Sequence, residues 1–308
     1  MNDGMVLLTL LTVITAATPL VYAAIGELVV ERSGVLNLGV EGMMLVGAVA
    51  GFATTHASGS AILGAFAGWA AGVALASVFA VLTLTLQSSQ VATGLALTIF
   101  GVGLSALIGQ SLVGVSLGGL PDVAIPGFSS IPFLGPLLFE HDLLVYGSFA
   151  LVVGVAFFLE RTRAGLVLRA CGDSHDAAHA LGYPVLGVRY LATLFGGGCA
   201  GLGGAYLSMA YTPMWAENMS AGRGWIALAL VVFAVWQPGR LLLGAYLFGG
   251  IGVLQLHGQA LGLTVPSQLM SMLPYLATIL VLVLISRDAS RIRRNAPASI
   301  GKPFHPTV

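Results

Sequence analysis

Charge is what this sequence has least of. Of its 308 residues only 8% are Asp, Glu, Lys or Arg, twelve of each sign, against roughly 25% in a soluble globular protein. Such a set cannot coat a body of this size in water. With 57% hydrophobic residues and a mean hydropathy of +0.96, the chain belongs in a bilayer. A net charge of zero leaves no basic stripe to neutralise phosphates, which excludes nucleic acid as a partner. Abundant apolar residues exclude intrinsic disorder. Lysine occurs once, at Lys302 in a proline-rich tail. A Walker A loop needs a lysine before Ser or Thr behind a glycine-rich turn, so the chain hydrolyses no nucleotide itself. Cys171 and Cys199 lack CxxC spacing and sit among apolar or small neighbours; they read as packing residues, not a disulfide framework or zinc site. Neither HExxH nor GxSxG is present, and His56, His141, His257 and His305 are isolated. That argues against an intramembrane enzyme, and no cofactor or metal is expected on this chain.

What is present is long apolar text. A membrane-spanning helix needs about 20 mostly apolar residues, and about nine such runs (roughly eight to ten) are readable. They fall at Met5–Ile25, Val40–Thr54, Ala61–Leu86, Val91–Val113, Leu143–Leu159, Val188–Ala210, Trp225–Trp236, Leu241–Leu256 and Met272–Ile285. The shorter ones, such as Trp225–Trp236, suit tilted or partly re-entrant helices. The fold class is therefore all-α, a polytopic membrane bundle with one transmembrane domain over 1–286 and a basic, flexible tail over 287–308. No Lys or Arg precedes the first run, so it reads as a retained span rather than a cleaved signal. Nine of the twelve basic residues lie in loop 160–189 or in the tail. By the positive-inside rule both are cytoplasmic, which puts the N-terminus outside and the C-terminus inside. Loops 115–142, 211–224 and 257–271 then face outward, and Pro213–Asn218 is a candidate docking surface for an extracytoplasmic protein. Glycines spaced as Gly47-xxx-Gly51, Gly64-xxx-Gly68-xxx-Gly72 and Gly197-xxx-Gly201 let helix backbones approach closely.

Two regions interrupt the apolar text. In 26–42, Glu27, Glu31, Arg32, Asn37 and Glu41 sit among Leu, Val and Gly, which suits a broken or re-entrant segment. Glu27, Glu31 and Arg32 read as a cytoplasmic rim, while Asn37 and Glu41 lie deeper, in a polar network or on a path. In loop 160–189, Asp173 or Ser174 can cap a short helix through Asp176–Leu181, and Gly182 with Pro184 can end it. At about 1.5 Å per residue this helix is too short to span and suits a docking element.

Here the residues carry a resemblance. Arg169-Ala170-Cys171-Gly172-Asp173, followed by Asp176, Ala177, Ala178 and Gly182, resembles the motif of permease subunits in bacterial ABC importers of branched-chain amino acids, simple sugars and nucleosides. Glu31–Met44 resembles a second motif of that family, most like its nucleoside branch. Ser174-His175 departs from the family's frequent Asn-Pro, and Thr98 stands where Asn is common after Gln90-Val91-Ala92-Thr93-Gly94. The resemblance implies a cytoplasmic coupling helix over 169–182, a second permease subunit, separate ABC ATPase subunits and an extracytoplasmic solute-binding protein. It places the chain in the bacterial inner membrane as a non-catalytic subunit. Candidate path residues, by polarity or aromatic character, are Asn37, Glu41, Gln90, Thr93, Gln110, Tyr206 and Trp225. The rivals are an ion-gradient-driven secondary transporter, which wants mid-span acids where only Glu41 offers one, a purely structural subunit, and a branched-chain amino acid permease of the same group.

Overall fold

The computed structural model describes residues 3–129, 131–260 and 295–305, with isolated positions between 269 and 283. The expected span Met272–Ile285 and tail residues 287–294 lie largely outside the described residues.

Apolar runs become helices where the sequence supplies caps. Helix α1 covers Asp3–Arg32, α2 Val40–Ser58, α3 Ala61–Ala80 with a π turn over Val81–Thr85, and α4 Gln90–Gly109 with a short extension over Gln110–Leu112. Gly59, at φ 69°, ends α2, and Ser60 accepts from Leu63 N to start α3. A loop follows that holds strand β1 (Asp122–Ala124), helix α5 (Leu134–Phe139) and strand β2 (Glu140–Asp142). The two strands pair antiparallel, Asp122 opposite Asp142, a small departure from an all-α chain. Asp142 Oδ1 then caps α6 (Leu143–Arg161) by accepting from Leu144 N and Val145 N. Beyond it lie α7 (Arg163–Asp173), α8 (His175–Ala180), α9 (Val185–Tyr206, with a π turn over Leu207–Tyr211), α10 (Arg223–Phe233) and α11 (Pro238–Ala260).

Five of the described helices are long and apolar enough to cross a membrane, those beginning at Val6, Ala61, Gln90, Leu143 and Val185. The expected count of about nine is thus met only in part. Helix α2 is long enough, at 19 residues, but is buried along most of its length, and α10, at 11 residues, rises only about 16 Å.

The centre of the bundle is α9, packed against α1, α2 and α3. Small residues make this possible. A Cβ on Gly72 would collide with the carbonyl oxygen of Gly197, and one on Gly201 with that of Gly68. Where lipid offers no hydrophobic drive between helices, such backbone contact supplies the packing.

Three expectations need correcting. The break expected over 26–42 is narrower, because α1 continues to Arg32 and only 33–39 leave the helix; Leu and Val between the carboxylates keep the helical register. Glu27 and Glu31 are not a solvated rim, being 1% and 2% exposed. The tail, expected to be flexible, is anchored over 295–305: Gly301 N donates to Gly34 O and Phe304 is 4% exposed.

Candidate coupling and translocation site

Polar side chains gather in two places. The first is the junction formed by the non-helical segment 33–39 and the start of α10. Asn37 N donates to Glu27 Oε1 at 3.2 Å, so the chain climbs back beside α1 instead of staying at its end. Bilayer interiors tolerate such backbone only when protein satisfies its polar groups, and side chains of α1, α4 and the segment itself serve several of them. Leu36 N donates to Gln90 Oε1 at 2.8 Å, Gly39 N to Asn37 Oδ1 at 2.9 Å, and Thr98 Oγ1 to Leu38 O at 2.9 Å.

Glu41, 3% exposed, reaches across to α10. It accepts from Ser220 Oγ at 2.5 Å, Gly222 N at 2.9 Å and Gly224 N at 2.5 Å. A carboxylate on the orphan amides of a helix start is satisfied both by hydrogen bonds and by the helix dipole. Glu41 thus caps the start of α10.

The candidate path residues separate accordingly. Asn37, Glu41 and Gln90 share this junction and are buried. Trp225 follows Gly224 on α10 and is 37% exposed; Thr93 is half-buried one turn along α4 from Gln90, bonded to Ser88. Tyr206 does not join them. It donates to Asp142 Oδ2 at 3.0 Å, at the other end of the bundle beside the start of α6. Trp215 departs from the expected outward surface too. It is 2% exposed and packed with Ala48, Val49 and Phe52, while its neighbours Met214, Glu217 and Asn218 remain exposed.

The second place is the end of the molecule that carries α7 and α8. One helix over 169–182 is expected there; the structure instead has two short helices, α7 and α8. Thr162 caps α7 and Ser174 caps α8, accepting from Gly165 N at 3.0 Å and Ala177 N at 3.3 Å. Ser174 is itself extended (φ −151°, ψ 96°) and separates the pair. Arg169, Ala170, Gly172 and Asp173 thus belong to α7, and Asp176, Ala177 and Ala178 to α8, which Gly182 (φ 86°) follows.

The two halves face different ways. Gly172 touches the end of α1 so closely that a Cβ would strike Arg32 O, and its own carbonyl accepts from Ser299 N at 2.8 Å. On α8, Ala178 is buried while Asp176, Ala177 and Ala180 are exposed, as is Leu181, which follows the helix. Leu181 is 77% exposed.

Sequence reading misses the residue that joins these parts. Arg189, on the first turns of α9, counts in sequence only as one more positive charge in the loop, yet it is fully buried. Its Nε donates to Ser33 O at 3.2 Å, Nη1 to Lys302 O at 3.0 Å and Nη2 to His175 Nδ1 at 3.3 Å. One guanidinium thereby ties the α1–α2 segment, the tail and α8. Its fixed fork of five donors suits that task in a way an ammonium does not. Burial and the Arg189 charge hold His175 below its ordinary value of 6.5, so its Nδ1 lone pair is free to accept.

A similar tie fixes the α10–α11 turn. Trp236 Nε1 donates to Glu31 Oε2 at 2.6 Å, and Arg32 Nη2 donates to Trp236 O at 3.0 Å. Val235 and Trp236 both hold positive φ, 51° and 53°, an uncommon conformation for a β-branched residue. No sequence signal marks this turn as strained.

A cavity of about 470 Å³ lies between α1, α6, α7 and α9, but residues such as Val29, Leu151, Phe158, Leu168 and Phe195 make its lining apolar. It offers nothing to hydroxyls or bases.

A profile for the family described as branched-chain amino acid transport system, permease component, matches residues 9–283. The chain belongs to that family. Among its relatives, a putative glucose ABC transporter permease, TsgC13 of Haloferax volcanii, is 42% identical, with 95% of each chain covered. The guanosine ABC transporter permease NupQ of Bacillus subtilis is 31% identical, over 94% of this chain and 93% of its own. The nucleoside ABC transporter permease NupC of Lactococcus lactis is 31% identical, over 87% and 89%. The protein is thus a multi-pass ABC transporter permease component. In the general ABC arrangement ATP hydrolysis falls to a partner chain.

Proposed function

We propose that this permease forms one half of the translocation path of an importer for a small polar solute, a simple sugar or nucleoside, and is driven by a separate ATPase through α8. Relatives named for glucose, guanosine and nucleosides support the substrate class. The observation that carries the mechanism is α8 itself: capped, six residues long, seated on Ala178 and presenting Asp176, Ala177 and Ala180 outward, with exposed Leu181 after it. Closure of two ATPases around such a helix moves it as a rigid body, and α6 and α9 on either side of the α7–α8 pair transmit the motion. The energy comes from the ATPase binding the two permease states unequally. On this reading the α8 end is cytoplasmic, and loops 115–142 and 211–224 lie on the side of an extracytoplasmic binding protein, with the exposed residues of Pro213–Asn218 as its docking surface. A second permease subunit completes the path, with Gln90, Thr93 and Trp225 as the groups of this chain on offer to a polar ring. Asn37 and Glu41 position the backbone around them.

The test is the assembled transporter in proteoliposomes with its binding protein and a panel of nucleosides, pentoses and hexoses. Leu181→Arg should lower substrate-stimulated ATPase activity about tenfold or more, equivalent to about 1.4 kcal/mol of coupling, with permease yield unchanged. A full stimulated rate in that variant, or uptake driven by an ion gradient without ATP, overturns the reading.

A further inference from the structure

We propose that residues 301–305 of the tail are the second half of the ATPase-docking surface, built with α8 into one composite face. The inference rests on the reading of α8 as the coupling helix and extends it to a segment outside the motif that resembles the family's.

The tail folds back onto the helices by backbone bonds. Ser299 N donates to Gly172 O at 2.8 Å, Gly301 N to Gly34 O at 3.0 Å, and Arg189 Nη1 to Lys302 O at 3.0 Å. Gln87 Nε2, from the α3–α4 connection, donates to Phe304 O at 3.3 Å. Such bonds fix the course of the chain whatever its side chains. Phe304 is the wedge. Its ring lies 5.4 Å from that of His175 and 5.3 Å from that of His179, edge-on to both, and it packs with Cys171, Ala178 and Val185. Edge-to-face pairs at this separation are favourable beyond the area they bury.

The inner side of α8 is therefore occupied by the tail. Residues flanking the wedge turn the other way: Gly301, Lys302, Pro303 and His305 are exposed. A partner gripping the outward face of α8 meets Lys302 and His305 alongside Asp176 and Leu181. This surface carries charges of both signs and imidazoles among small residues, unlike the Leu, Ile and Phe that α3 and α4 expose, so it suits a protein better than lipid. The turns after α1, α3 and α10 gather at this same end. Phe304 acts as a positioning residue, setting the angle at which α8 is presented.

The experiment uses the assembled transporter with a photo-reactive maleimide on Asp176→Cys or Lys302→Cys; the native Cys171 and Cys199 are buried. Both variants should cross-link to the ATPase subunit, and both yields should change when the ATPase is trapped with ATP and vanadate. Cross-linking from Asp176→Cys alone overturns the composite surface and leaves α8 coupling intact. Cross-linking from neither, in an intact complex, overturns the coupling reading and this inference with it. In parallel, Phe304→Ala should raise the Kd of the permease for its ATPase about tenfold, with Phe304→Tyr restoring it. An unchanged Kd for folded Phe304→Ala overturns the positioning role. If Phe304→Ala does not fold, the Lys302→Cys cross-link decides.

Discussion

The interior of the bundle and the end that carries α8 are held together by different physics. Inside, α2, α3 and α9 meet through Gly47, Gly68, Gly72, Gly197 and Gly201, backbone against backbone. At the α8 end, contacts run from long side chains to carbonyls: Arg189 to Ser33 and Lys302, Arg32 to Trp236 and Asn295. Close-packed backbone leaves no slack, so strain applied to one of these helices is passed to the others. Hydrogen bonds from a guanidinium can be exchanged for others at small net cost. An importer driven in the way proposed above needs both, a stiff body to carry the motion and an edge where contacts break and re-form.

The largest expected effect breaks the stiff side of this contrast. Gly72→Leu puts a branched side chain where the Gly197 carbonyl already lies, and α3 cannot withdraw without uncovering α9. The loss should exceed about 4 kcal/mol, the range reserved for severe core damage. Detergent-extracted Gly72→Leu should give little monodisperse permease, and Gly72→Ala an intermediate yield. A normal yield and thermal midpoint for Gly72→Leu would show the interior to be deformable and erase the distinction.

A smaller effect is expected at the other end. Arg189→Met removes three donors at once and leaves Ser33 O, Lys302 O and His175 Nδ1 without them. The expected cost is about 3 kcal/mol, as unsatisfied buried acceptors cost about 1–3 each and the exposed edge recovers some water. Arg189→Lys keeps the charge but not the fork and should fall between. Both should extract as folded permease, and in both the tail should be cut faster by carboxypeptidase while substrate-stimulated ATPase falls. Equal loss of folded protein in Arg189→Met and Gly72→Leu would mean that the edge is as structural as the core.

This contrast also marks what could be read from sequence. Apolar runs with local stop signals come out nearly whole: Ala61–Leu86 is found as a helix over 61–85, and the docking helix expected through Asp176–Leu181 as His175–Ala180. In both cases the information sits within a few residues, in a capping Ser or a Gly. The glycine contacts are announced by spacing, although not by partner. Amphipathic α7 is missed because Arg163, Arg169 and Asp173 interrupt the apolar pattern. Glu27 and Glu31 look like a rim because they end an apolar run, and only the Asn37 and Trp236 contacts reveal them as interior. Arg189 and Phe304 lie too far apart in sequence for any local pattern to join them. The tail's Pro and Lys suggest solvent when read without its backbone bonds to Gly34 and Gly172.

The smallest effect isolates one bond of the edge. His175 accepts from Arg189 Nη2 through Nδ1, which requires a neutral ring, and its Nε2 lies 3.5 Å from Asp176 Oδ1. Arg189 on α9 and Lys302 and His305 on the tail disfavour the protonated ring, and Asp176 on its own helix favours it; with burial as the largest cause, the net displacement is downward from 6.5. The unfolded chain therefore takes up this proton more readily than the folded one, so the contribution is fully present above 6.5 and is lost as pH falls from there through the folded value. Acidification should loosen the tail from α8, seen as faster carboxypeptidase trimming of residues 301–305 at mildly acid pH than at pH 8, after correction for the enzyme's own profile. His175→Gln supplies an acceptor for Arg189 that does not titrate, so its trimming rate should be flat across the same window. Gly72→Ala should leave the pH dependence as it is, since Gly72 meets only the backbone of Gly197 and Gly201. Identical profiles for wild type and His175→Gln would remove the imidazole from the edge and leave Arg189 holding the tail through carbonyls alone.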